Sequence, residues 1–334
     1  MAIADSAVEG RAGMASLGHI VQRIRAWEGI GLLLVFIALY VVLSFASPVF
    51  LTTSNQLSIL QNAAFFGIVA FAMTLVIVSG EIDISVGSMA ALSSSLLGVL
   101  IVKQGWPMPL ALLAVFVVAG LIGASAGALR AYFGVPTFIA TLALYLALKG
   151  LAQLLTNNFP LPIDSGEFFY WGDGRVLGIP VPALYLSAVF LILLVVTKKT
   201  VFGRSVYAVG GNAKAANLSG INVHRVKILV MAIVALTAAL TGLLQTALLS
   251  SGNSTIAVGL EFDAIAAVII GGTALSGGKG SIVGTVIGVL FIAALLNGMV
   301  LLGVNPYAQQ VVRGGVVLVA VLVNVWRTRR TALV

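Results

Sequence analysis

The sequence predicts an all-α membrane protein with about ten transmembrane helices and both termini in the cytoplasm. Three observations lead there. Of 334 residues, 60% are apolar and only 8% charged, against about 25% charged in soluble domains. At a mean hydropathy of +1.14, a water-soluble globule would expose large apolar patches. Apolar stretches recur at about the 20 residues that cross a hydrocarbon core about 30 Å thick. The basic residues gather on alternate loops, as the positive-inside bias requires.

The stretches fall near 29–46, 57–79, 86–102, 107–132, 137–155, 180–197, 226–250, 262–273, 282–302 and 307–326. Residues 1–28 and 327–334 are then cytoplasmic tails around a membrane domain of 29–326. With the N-terminus inside, the cytoplasmic side receives Arg11, Arg23, Arg25, Arg130, Lys198, Lys199, Arg204, Lys214, Arg225, Lys227, Lys279, Arg327, Arg329 and Arg330. The outer loops receive Lys103 and Arg175, and Lys149 and Arg313 fall within spans, with Glu261 or Asp263 as candidate partners. This placement accounts for the net charge of +8 without nucleic acid. Cysteine is absent, which excludes disulfides and thiol chemistry. His19 and His224 lie far apart beside basic residues and read as solvated rather than as ligands.

Two stretches carry rival readings. In the first, Ser44-Phe45-Ala46 resembles a signal-peptidase site, but the apolar run of about 18 residues exceeds the usual h-region of about 7–15. The stretch 262–273 would rise only about 18 Å as a helix. It reads either as a re-entrant half-helix or as a partly unwound crossing buried among its neighbours. A single re-entrant would place Arg327, Arg329 and Arg330 outside, so the charge rule favours the crossing.

Three loops break the apolar pattern. Residues 79–88 set Glu81 and Asp83 among Ser79, Gly80, Ser85, Gly87 and Ser88. Charge at the bilayer centre costs about 2.5–3.5 kcal/mol, so both acids are expected to face the cytoplasm or a wet cavity, or to sit in a turn capping the next helix. The basic loop 198–227 encloses a short helix over 210–221, which Asn212 can cap and Gly220 can end. It reads as a docking element or as a solvated turn. Residues 271–281 look like a phosphate loop. The pattern fails, however, because Thr273 stands where the first glycine belongs and Gly280 follows Lys279 where Ser or Thr is required. The first and third loops echo one another around Gly80 to Ser88 and Gly272 to Ser281, and internal repeats are common in transporters. The outer loop 156–180 sets Phe168, Phe169, Tyr170 and Trp171 beside Asp164, Glu167 and Asp173, which suits an interfacial anchor or a docking face.

Taken together, residues 79–88, Phe202-Gly203-Arg204 with 210–221, 261–284, and the tail motifs 301–304 and 309–314 resemble the ribose-type (monosaccharide) branch of ABC importer permeases. The resemblance runs from about Val49 to Val325. It implies a type II ABC importer-like fold and a permease that is not itself an enzyme. ATP and Mg would be bound by a separate cytoplasmic ATPase, with no cofactor, metal or catalytic residue on this chain. The implied partners are that ATPase, a periplasmic sugar-binding protein, membrane lipid, and a second permease copy, identical or paralogous. The resemblance assigns ATPase coupling to Gly211, Asn212, Ala215, Ala216, Leu218, Ser219 and Gly220. Candidate pathway or gating residues are Glu81, Asp83, Ser85, Gly87, Glu261, Asp263, Gly272 and Gly278. Many relatives carry Gln-Pro where this chain has Asn253-Ser254. Small residues at Gly67 to Ala70 and Gly120 to Gly127 are expected to let helices approach closely. The competing class is an ion-coupled secondary transporter, which usually holds acids near the midplane. An intramembrane enzyme lacks a visible metal cluster or nucleophile and base.

Overall fold

The structure, a computed structural model, describes residues 30–332, with side chains from 31 to 325. Arg11, His19, Arg23, Arg25, Arg327, Arg329 and Arg330 lie outside the described side chains, as does the segment 1–28. The helices are α1 (Ile30–Ala46), α2 (Thr53–Val78), α3 (Val86–Gly98, closing on a wider π-type turn, Val99–Lys103), α4 (Met108–Phe133) and α5 (Thr137–Thr156). Then come α6 (Gly166–Asp173), α7 (Val181–Lys199), α8 (Val201–Gly211), α9 (Ala213–Leu218) and α10 (Val223–Leu249). The last are α11 (Leu260–Ile270), α12 (Ile282–Leu301) and α13 (Pro306–Ala332).

Among the described residues eight helices are long and apolar enough to cross a membrane: α2, α3 with its turn, α4, α5, α7, α10, α12 and α13. Local chemistry sets where they start. Thr52, Asn222 and Ser281 cap α2, α10 and α12 by accepting from the amides of Asn55, Arg225 and Gly284. Pro107, Pro136 and Pro180 precede α4, α5 and α7, where a missing N–H costs nothing.

Helix α2 is the centre of the bundle. From Ala63 to Val78 every residue is buried, against α10, α12, α7 and α11. Since lipid tails are as apolar as leucine, close backbone approach must hold such helices together. A Cβ at Gly123 or Gly127 would strike α10 backbone at Met231 or Ile228, and one at Gly67 would meet Leu186 and Val289 at 2.8 Å. The small residues expected to pack do so. Helix α1 packs on α12, with Leu43 buried where a Cβ on Gly298 would fall.

The short stretch after α10 passes from one end of the bundle to the other. Ser251 and Gly252 pair with Leu161 and Pro162 beyond the end of α5. On the far side of α11 the amide of Gly278 donates to the carbonyl of Val78, at the opposite end of α2, at 2.8 Å. Eleven helical residues rise only about 16 Å, so extended segments complete the traverse. Non-helical backbone is tolerated there because neighbours cover it.

The outer aromatic patch is only partly an anchor. Phe168, in α6, is buried against Trp171 inside the protein, while Phe169, Tyr170 and Trp171 are exposed.

Candidate functional site: a three-loop junction and a polar cavity

The three loops singled out in the sequence meet at one end of the bundle, the end that also carries Arg130, Lys198, Lys199, Arg204, Lys214, Arg225, Lys227 and Lys279. Gly210, at the end of α8, lies against the carbonyl of Val78 and the amide of Gly278 so closely that a Cβ has no room. Gly277, at φ +81°, would bring a Cβ to 3.0 Å from both Gly80 and Gly210, and Gly278, at φ +75°, to 2.9 Å from Gly211. Only glycine adopts such angles freely. Tyr207 donates its hydroxyl to the carbonyl of Gly280 at 3.0 Å, and Thr74 and Thr285 share a buried 2.8 Å hydrogen bond just above. The echo between the first and third loops is therefore also a contact.

Below this junction stands α9. Asn212 accepts from the amide of Ala215 at 3.0 Å, and Gly220 ends the helix at φ +81°, as its sequence predicts. Six of the seven residues assigned to coupling, Gly211, Asn212, Ala215, Leu218, Ser219 and Gly220, are exposed. Ala216 is not: it is buried against the bundle and belongs to the packed face. Leu218 is 88% exposed, an apolar side chain at the tip of a basic loop.

Of the two readings of Glu81 and Asp83, the structure departs from the one that faces them to water, since both are buried, and agrees with the turn before α3 for Asp83. Glu81 is neutralised by Arg130 at 2.9 Å and by Lys227 at 2.5 Å, and accepts a hydrogen bond from the Thr137 hydroxyl at 2.7 Å. Burial pushes its carboxyl up, but hydrogen bonds from Lys227, Arg130 and Thr137 outweigh this and hold it below the usual carboxylate range. Asp83 accepts from the amide and hydroxyl of Ser85 at 2.7 and 2.6 Å in a turn leading into α3. Burial pushes its carboxyl up, against the pull of those two bonds. The sequence pattern omitted these cations because Arg130 and Lys227 are distant in the chain.

A second constellation lies nearer the other end. Glu261 and Asp263 sit in the first turn of α11, both buried. Asp263 pairs with Arg313 at 3.3 Å, one of the pairings the sequence left open. Glu261 lies where Gly87 leaves room for its carboxylate, and its Oε2 has no hydrogen-bond partner among the described residues. Lys149 faces the same small void and stacks on the Tyr145 ring at 5.8 Å.

Beside Asp263 opens a cavity of about 390 Å³, walled by α2, α10, α11, α12 and α13. Of the eight pathway candidates only Asp263 lines it. Gly87 and Glu261 line the small void, while Glu81, Asp83, Ser85, Gly272 and Gly278 line neither. The cavity's other polar residues, Asn62, Gln245, Asn297 and Gln309, were missed. Their signal was available as carboxamides inside apolar spans, where an unsatisfied polar group costs several kcal/mol.

A model of the family described as the branched-chain amino acid transport system/permease component matches residues 55–321. The chain is also 42% identical over 296 residues to the ribose import permease protein RbsC of Escherichia coli K12, covering 87% of this chain and 92% of that protein. The chain belongs to the ribose-type ABC importer permease family. It is 51% identical over 303 residues to the Probable ABC transporter permease protein YphD of the same strain, covering 91% of each. It is 34% identical over 343 residues to the xylose transport system permease protein XylH, covering 84% of this chain and 87% of that protein. No solved structure matches the chain. With its eight apolar helices, this ABC permease is a multi-pass protein of the bacterial inner membrane.

Proposed function

We propose that this permease is the translocating subunit of an ATP-driven monosaccharide importer, with a ribose-like sugar as its cargo. Relatives named for ribose and xylose support the sugar class. The observation that carries the mechanism is the junction, where 79–80, 210–211 and 277–278 touch directly above an exposed helix α9. Coupling requires a partner to favour one conformation of the permease by differential affinity. A helix tied by its root to two other loops is suited to pass that preference on.

In this reading Gly211, Asn212, Ala215, Leu218, Ser219 and Gly220 face a separate ATPase that holds ATP and Mg, and Ala216 seats the helix from behind. A periplasmic sugar-binding protein docks at the opposite end, and a second permease copy completes the pathway. The eight long helices, α1 and the unwound α11 segment give ten crossings, within a permease domain of 29–326 and with both termini cytoplasmic. Glu261 and Asp263 sit where the pathway is gated, and Gly272, at φ +90°, gives the third loop its freedom.

The test is purification of the tagged chain together with the products of neighbouring genes. An ATPase should co-purify, and its hydrolysis should rise with the cognate binding protein. A chain that purifies alone and drives sugar uptake on an ion gradient in liposomes is instead a secondary transporter.

A further inference from the structure

The cavity beside α11 has a chemistry of its own. Its volume of about 390 Å³ lies within the ~300–1,000 Å³ of small-molecule pockets. Its polar lining consists of four carboxamides, Asn62, Gln245, Asn297 and Gln309, and one ion pair, Asp263 with Arg313. Two of the amides are committed: Asn297 exchanges hydrogen bonds with Asn55 at 2.9 and 3.0 Å, and Gln309 donates to Val304 at 2.9 Å. Asn62 and Gln245 have no side-chain partner among the described residues, although both lie within helices that cross the membrane. Asn62 is exposed and Gln245 half-buried, so both amides are open to water or to a solute in the cavity.

We infer that this cavity is a solute-handling subsite for a neutral, polyhydroxylated molecule of monosaccharide size, so that the permease itself discriminates among solutes. A carboxamide offers both donors and an acceptor, which suits hydroxyl groups that are also both. The faces of Phe65 and Phe66, which line the cavity, suit the apolar C–H side of a sugar ring. The ion pair takes up only Nη1 of Arg313 and one oxygen of Asp263, at 3.3 Å, and the buried Arg313 Nε, without a partner among the described residues, is a further donor for a solute hydroxyl. The inference rests on the importer reading and goes beyond it, because it gives selectivity to this chain as well as to the binding protein.

The experiment uses the full complex of permease, ATPase and binding protein in proteoliposomes, with labelled D-ribose, D-xylose and L-leucine. Wild type is measured first: absence of ATP-driven sugar uptake, or uptake of leucine alone, sinks the importer reading and this one with it. With sugar uptake established, Asn62→Leu with Gln245→Leu should lower sugar moved per ATP hydrolysed. One lost neutral hydrogen bond is worth about fivefold, so the pair should lose about 30-fold. Unchanged sugar per ATP in that double variant overturns the subsite alone. If it fails to assemble, Asn62→Gln and Gln245→Asn decide, since each keeps the amide but moves it by one methylene. A changed ratio of ribose to xylose uptake supports the subsite, and an unchanged ratio overturns it.

Discussion

Glu81 is the most exacting test of the electrostatics at the junction. Its carboxylate is 4% exposed and shared by Lys227 and Arg130, whose side chains are 12% and 32% exposed. Removing one member of a buried pair costs about 3–5 kcal/mol, mostly through the charge left behind. Glu81→Gln strands both cations, but Arg130 can turn toward water, so the loss should sit near the low end, about 3 kcal/mol. Lys227→Met leaves Arg130 and Thr137 on the carboxylate and should cost about 2 kcal/mol. Arg130→Met removes the more solvated partner and should cost about 1 kcal/mol. The pH dependence follows from the lowered folded-state value of Glu81. Its contribution is fully present above the unfolded value of about 4.3 and is lost as pH falls through the lower folded value. Thermal unfolding of the purified chain in detergent, from pH 7 down to pH 3, reads both effects. The gap between wild type and Glu81→Gln should narrow on acidification. A gap that stays constant, or an Arg130→Met variant less stable than Lys227→Met, would refute the assignment of Lys227 as the dominant partner.

Two further predictions concern α9 and the junction at its root. Leu218→Asp should abolish stimulation of the co-purified ATPase while leaving membrane insertion and thermal stability near wild type, because 88% of Leu218 already faces solvent; Ala216→Asp should instead destabilise the chain, since it buries an unpaired charge. Gly210→Val should cost about 3 kcal/mol or more, because its Cβ would land on the Val78 carbonyl, whereas Gly211→Ala meets nothing within 4 Å and should be close to neutral; equal melting temperatures for the two would remove the junction's close packing as an explanation.

The parts of the fold legible in the sequence are those governed by local chemistry. Composition and the placement of lysine and arginine give the membrane class and the basic end, since both depend on transfer energies that act residue by residue. Asn212 and Gly220 mark α9 because capping is decided within a turn. What depends on distant contacts was not legible. Whether Glu81 faces water or a cation depends on Arg130 and Lys227, which lie 49 and 146 positions further along the chain. That Ala216 faces inward depends on how α9 is set against the bundle, since alanine suits either face. Helix α8 was not anticipated: the sequence predicts a short helix over 210–221 within the loop 198–227, whereas α8 runs Val201–Gly211. Two of its glycines are required by contact, Gly203 lying against the carbonyls of Val196 and Thr197 and Gly210 against that of Val78.

The same geometry gives a physical reason for the brevity of α11. A full-length helix there would fill the space where Gly271 and Gly272 turn, and the loop after them would not reach Gly210 and Val78. Its first turn carries Asp263 into the wall of the cavity, and the loop that follows its last turn carries Gly277 and Gly278 to the base of α8 and α9. One stiff element about 16 Å long, with the loop that follows it, therefore links the three-loop junction to the cavity. Close contact fixes its flank as well, because a Cβ on Gly288 would fall on the carbonyl of Ala267. Packed interfaces of this kind shift between discrete arrangements rather than deform continuously. The chain between the junction and the ion pair at Asp263 thus consists of eleven helical residues and one glycine loop, packed along α12.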